Sequence, residues 1–156
     1  MKTLTYENAL HKAAAYCSLS EKCPYDVFKK LHDWGVGNPD AQKIVDYLKK
    51  ENYLNEERYC NAFVKDKVRF SKWGQQKIVY ALRAKQLPAD SISRAVKGIN
   101  GDVHLENLKS LLQQKQHTIK YKNEQDKIAK LVRFATSRGF ELDAVLRVLK
   151  INDSIL

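Results

Sequence analysis

Apolar residues along this chain return at spacings of three and four, and the whole pattern recurs twice more. Val36, Leu87 and Phe140 can be aligned, 51 and 53 residues apart by their numbering. Five residues later stand Ala41, Ile92 and Val145; eight later, Ile44, Ala95 and Val148; nine later, Val45, Val96 and Leu149. Five residues earlier stand Leu31, Leu82 and Ala135; eight earlier, Phe28, Val79 and Val132; nine earlier, Val27, Ile78 and Leu131. Each unit reads as helix, tight corner, helix, because i, i+3, i+4 spacing places these residues on one helical face. A further amphipathic segment precedes each pair, at Tyr6–Cys17, Asn55–Phe70 and Asp102–His117. The expected fold is all-α, a tandem array of three three-helix repeats at 1–54, 55–101 and 102–156. Units of this size leave apolar surface for their neighbours, so stacking into an elongated, curved array is expected.

Helix punctuation agrees. Asn38-Pro39-Asp40 reads as N-cap, N1 proline and first-turn acid. Asn55 and Asn123 precede acidic first turns in the same way. Gly139 after Arg138 has the place of a left-handed C′ residue. No run alternates with period two for long enough to predict a strand.

Charge changes the picture in the middle of the chain. The formal net charge is +10. Residues 1–54 carry 8 basic and 7 acidic side chains, residues 55–101 carry 10 and 4, and residues 102–156 carry 10 and 7. A positive field concentrated in one third suits a nucleic acid or an acidic protein groove. Projecting residues 55–72 at 100° per residue puts Tyr59, Ala62, Phe63 and Phe70 toward the core. Arg58, Asn61, Lys65, Arg69 and Lys72 fall on another side, in a stripe without the interleaved acids of i, i+4 pairs. Lys77, Arg83 and Lys85 continue it, while Asp66 is expected beside the core with a basic partner. Trp73, in the corner after the stripe, reads either as a plug between helices or as an interface anchor. Lys115–Lys122 forms a smaller basic patch.

Chemistry is scarce by comparison. The chain has no Gly-rich phosphate loop, Gly-x-Ser-x-Gly elbow or His-Glu-x-x-His helix. The acids of the basic third number four, and Glu56 and Glu57 sit where capping explains them. No enzyme and no cofactor is expected. Cys17, Cys23 and Cys60 lack a Cys-x-x-Cys pair, and with His11 and His32 they match no standard metal spacing. They read as inert thiols in a reducing compartment. The start of the chain lacks a signal-peptide core and no run is long enough for a membrane span, so a cytoplasmic protein with no membrane partner is expected.

Tyr53-Leu54-Asn55-Glu56-Glu57-Arg58-Tyr59, followed by Ala62-Phe63-Val64, Lys72-Trp73-Gly74, Ile78, Leu82, Lys85 and Leu87, resembles the signature of the RecX family. The corner Trp34-Gly35-Val36 resembles the family's first repeat, and Lys130–Phe134 with Arg138-Gly139-Phe140 its last. Ala81 and Gln86 depart from it, standing where the family commonly has Glu and Gly; Gln86 implies a corner without a left-handed turn. The resemblance implies a bacterial regulator of the RecA recombinase. Such a protein lies in the groove of RecA–DNA filaments and restrains ATP hydrolysis, strand exchange and repressor cleavage. The surface expected to make those contacts comprises Arg58, Lys65, Arg69, Lys72, Trp73, Lys77, Arg83 and Lys85. A monomer is expected, with weak binding of its own to single- or double-stranded DNA. The competing expectation is a free-standing helical DNA-binding protein, in the manner of helix-turn-helix modules.

Overall fold

Helices carry nearly all of this chain. A computed structural model describes residues 4–153, with side chains as far as Lys150. Their order is α1 (Tyr6–Leu19), α2 (Pro24–Asp33), α3 (Asn38–Lys50), α4 (Glu56–Asp66), a π-helical turn (Lys67–Ser71), α5 (Gln75–Ala84), α6 (Ala89–Lys97), α7 (Gly101–Gln116), α8 (Glu124–Ser137) and α9 (Leu142–Asp153). Among the described residues there is no strand. The fold is all-α and repetitive.

The repetition extends to burial. Six of the seven aligned positions are buried in all three copies, and the seventh, Phe28, Val79 and Val132, is half-buried in all three. It extends also to the corners. Val36, Leu87 and Phe140 each donate their amide to the carbonyl five residues back, on Leu31, Leu82 and Ala135, at 2.9, 3.4 and 3.2 Å. The preceding residue donates to the carbonyl three back: Gly35 to His32, Gln86 to Arg83, Gly139 to Thr136. This pair of bonds satisfies orphan carbonyls at a helix end and requires a left-handed residue. Gly35, Gln86 and Gly139 accordingly have φ of 87°, 60° and 96°. The expectation that Gln86 avoids the left-handed turn is therefore wrong. The demand of the motif outweighs the cost of a Cβ, which Gln86 bears at an exposed position.

The caps at Asn55 and Asn123 form as expected. Their Oδ1 atoms accept from the amides of Arg58 at 2.9 Å and Asp126 at 2.8 Å. The cap at Asn38 does not: Gly37 takes the extended N-cap conformation, and Asn38 begins α3.

The chain falls into two compact units. One runs to Ala62 and takes in Leu82–Ser93; the other comprises Phe63–Ala81 and the chain from Arg94 onward. In the first, α1, α2 and α3 enclose a core of Ala9, Ala13, Val27, Leu31, Ile44 and Leu48. In the second, α7, α8 and α9 enclose Leu108, Leu112, Leu131, Phe140, Val145 and Val148. No helix among the described residues is long and apolar enough to cross a membrane.

The predicted inward face of the 55–72 segment needs correcting. Tyr59 is buried, but Ala62 is exposed, Phe63 is half-buried and Phe70 is 72% exposed. Cys60 and Val64 are the buried residues instead. The π-helical turn is the reason beyond Asp66. It adds a residue to the turn, so a projection at α-helical pitch places everything after it on the wrong side. Asp66 is exposed too, not set beside the core.

Candidate interaction surface

In the second unit, the segment from Lys65 to Lys77 gathers cations around aromatic rings. The π-helical turn ends on Lys72, whose φ of 53° is left-handed, and the Trp73 amide donates back to the Lys67 carbonyl at 3.1 Å. Two side-chain bonds pin the turn to α7. Asn107 Nδ2 donates to the Val68 carbonyl at 2.9 Å, and Lys72 Nζ donates to Ser110 Oγ at 3.2 Å. Trp73 is half-buried and meets Phe63 edge-on, with ring centroids 6.2 Å apart. Lys67 Nζ lies 4.6 Å and Lys77 Nζ 4.5 Å from the Trp73 ring centroid. Trp73 thus acts as a joint between elements and as a seat for two ammonium groups.

Two cations of this segment remain outward. Lys65 and Arg69 are exposed, and the Arg69 guanidinium lies 5.2 Å from the ring of exposed Phe70. Phe70 and Lys67 escaped the sequence reading for one reason. Both follow the onset of the π-helical turn, and nothing in the residue types of Lys67–Ser71 announces it.

In the first unit, three expected surface residues divide differently. Arg83 is exposed. Arg58 pairs with Glu21 and donates to the carbonyls of Asn52 at 3.1 Å and Tyr53 at 3.2 Å, so it fastens the turn before α4 to the start of α2. Lys85 is half-buried; its Nζ donates to both Asp26 oxygens at 3.0 Å and to Tyr59 Oη at 3.1 Å. Burial works against the Lys85 charge, but the hydrogen bonds to Tyr59 and Asp26 prevail and hold its pKa above the ordinary lysine value. Arg58 and Lys85 are structural in this fold.

The thiols are quiet. Cys17, Cys23 and Cys60 are free and buried. Burial pushes Cys23 and Cys60 up to about 11, which keeps them protonated and poor nucleophiles at neutral pH. Among the described residues no three His, Cys, Asp or Glu side chains gather as a metal site.

These features define a class: an all-helical repeat protein with a cation-rich, aromatic-studded face. Two family models place it further. Residues 55–96 match the second three-helix domain of RecX, and residues 102–149 match its third. A regulatory protein RecX of Clostridium botulinum strain Alaska E43 is 34% identical over 96% of this chain and 73% of its own length. The corresponding protein of strain Eklund 17B is 34% identical over 83% of this chain and 61% of its own. The crystal structure of RecX from Lactobacillus salivarius superposes with a TM-score of 0.80 at 17% identity, covering 95% of this chain and 96% of that one. A second crystal structure, of a regulatory protein RecX, gives 0.81 at 19% identity over 93% and 73% of the two chains. The chain belongs to the RecX family, whose named members are regulatory proteins.

Proposed function

We propose that this protein is a non-enzymatic, cytoplasmic regulator that binds RecA–DNA filaments and restrains ATP hydrolysis, strand exchange and repressor cleavage. The observation that carries the reading is the outward pair Lys65 and Arg69 beside exposed Phe70, on a turn pinned to α7, in a chain of this family. A fixed cationic face with an aromatic at its centre suits a phosphate-bearing or acidic partner. Exposed Arg83 adds a further contact on the first unit. Three repeats, at 1–54, 55–101 and 102–156, would each present a surface to successive protomers of a helical filament. Inhibition then follows from binding one filament state better than the state that activity requires. The protein acts as a monomer, and its affinity for DNA alone is weak.

The test is to add the protein to RecA filaments on single-stranded DNA and follow ATP hydrolysis and strand exchange. Inhibition that saturates, and that is lost in a Lys65→Glu, Arg69→Glu double variant, supports the reading. Undiminished hydrolysis at saturating protein would sink it. Salt-sensitive binding to naked duplex with no effect on RecA would favour a free-standing DNA-binding protein instead.

A further inference from the structure

A second feature of the Arg94-to-C-terminal unit stands apart from the cationic face. Between α7 and α9 lies a cleft of about 410 Å³ whose apolar wall is formed by Leu105, Leu108, Phe140, Ala144 and Val148. That volume falls within the range, roughly 300–1,000 Å³, of sites that hold small molecules or docked side chains. His104 also lines the cleft, its ring 4.9 Å from that of Phe140. Its Nδ1 is buried and has no hydrogen-bond partner among the described residues. A buried polar atom left unpaired costs about 1–3 kcal/mol, so it marks a place where a partner is wanted. No hydrogen bond holds that nitrogen, so a half-turn about Cβ–Cγ, which exchanges it with Cδ2, breaks nothing.

The remaining lining residues specify charge. Lys109 and Arg147 stand against a single acid, Glu141. Two cations facing one carboxylate leave the mouth of the cleft net positive and favour an anionic group there. The apolar wall asks for a ring, and the lone nitrogen asks for a small group that can both donate and accept. A hydroxyl does both, and so suits either tautomer of a neutral imidazole.

We propose that this cleft binds a hydroxyl-bearing aromatic ring with a carboxylate beside it. The ring lies against Phe140 and Ala144, the hydroxyl pairs with His104, and the carboxylate faces Lys109 and Arg147. That chemistry is shared by a tyrosine in an acidic protein segment and by a free hydroxyaryl acid. It is independent of the filament reading.

The experiment uses the isotopically labelled full chain, followed by NMR. One arm titrates 4-hydroxyphenylacetate and, separately, phenylacetate; the other titrates acetylated Glu-Tyr-Glu and Glu-Phe-Glu peptides. The expected result is saturable shifts in α7 and α9, a shift of the His104 ring nitrogens, and binding about tenfold tighter for each hydroxyl-bearing ligand. His104→Phe keeps a ring against Phe140 and should erase the tenfold preference without abolishing the weaker binding. If that variant does not fold, the paired ligands on the native chain decide alone. Tighter binding of the peptide assigns the natural occupant to a protein segment, and tighter binding of the free acid to a small molecule. Equal affinity with and without the hydroxyl overturns the proposal, as does the absence of saturable shifts at millimolar ligand.

Discussion

Gly74 and Gly139 stand backbone against backbone. The Gly74 amide donates to the Arg138 carbonyl at 2.6 Å, and the Gln76 amide donates to the Gly139 carbonyl at 3.0 Å. A Cβ added to Gly74 would lie 2.2 Å from the Gly139 carbonyl carbon, and one added to Gly139 would lie 2.5 Å from Lys77 Cβ. The corner before α5 and the corner after α8 therefore meet as main chain, with no room for a side chain on either. Gly74→Ala should destabilise the protein by about 3 kcal/mol or more, read as a lowered urea midpoint. Gly139→Ala should do at least as much, since its φ of 96° adds strain to the clash. Gly101→Ala, with open space around its added methyl, should change stability by less than about 1 kcal/mol.

The Gln86 corner yields a prediction of opposite sign. Gln86 holds φ of 60° at an exposed position in the motif that Gly35 and Gly139 complete as glycines. Left-handed backbone costs an ordinary L-residue about 1–2 kcal/mol, of which glycine's greater freedom in the unfolded chain returns part. Gln86→Gly should stabilise the fold by about 0.5–1 kcal/mol, seen as a raised thermal midpoint. A midpoint that falls would mean that the Gln86 side chain makes a contact worth more than the strain.

Those two corners show where the sequence was legible. Val36, Leu87 and Phe140 sit at the same offset in three copies, and a threefold coincidence of apolar spacing needs no tertiary information to recognise. Burial then followed the alignment down to the half-buried Phe28, Val79 and Val132. The candidate surface was harder to read, for a local reason. Its residues straddle the π-helical turn Lys67–Ser71, which arises from contacts with α7, such as Asn107 to Val68, some 39 positions away. Propensity and period know nothing of Asn107. Likewise Arg58 and Lys85 look like surface cations until Glu21 and Asp26, distant in sequence, are placed beside them.

Cations of the central third should accordingly separate into two kinds. Lys85→Met removes the partner of a half-buried Asp26 and should cost about 1–3 kcal/mol in stability. The folded pKa of Lys85 lies above its ordinary value of 10.5, so the stability its charge contributes is fully present below that value. It is lost only as pH rises through the higher folded pKa. The difference between Lys85→Met and the native chain should thus be constant from pH 6 to pH 9, on the order of the same few kcal/mol throughout. The Lys65→Glu, Arg69→Glu variant should instead unfold within about 0.5 kcal/mol of the native protein while losing its effect on RecA filaments. Loss of stability in that variant, measured by urea titration, would move the two residues from the surface into the structural set.

His104 predicts a pH dependence that the rest of α7 does not share. Burial against Phe140 lowers its pKa below the ordinary 6.5, and the charge of Glu141 offsets this only in part. The unfolded chain therefore takes up the proton more readily than the folded one. The stability that the neutral ring contributes is complete above pH 6.5 and is lost as pH falls through the lower folded value. The urea midpoint should decline between about pH 7 and pH 5.5, a window above the ordinary carboxylate range. His104→Phe, which keeps the ring and removes the proton, should flatten that decline. A slope unchanged in the variant would assign the acid sensitivity to other groups, and would mean that His104 titrates alike in the folded and unfolded chains.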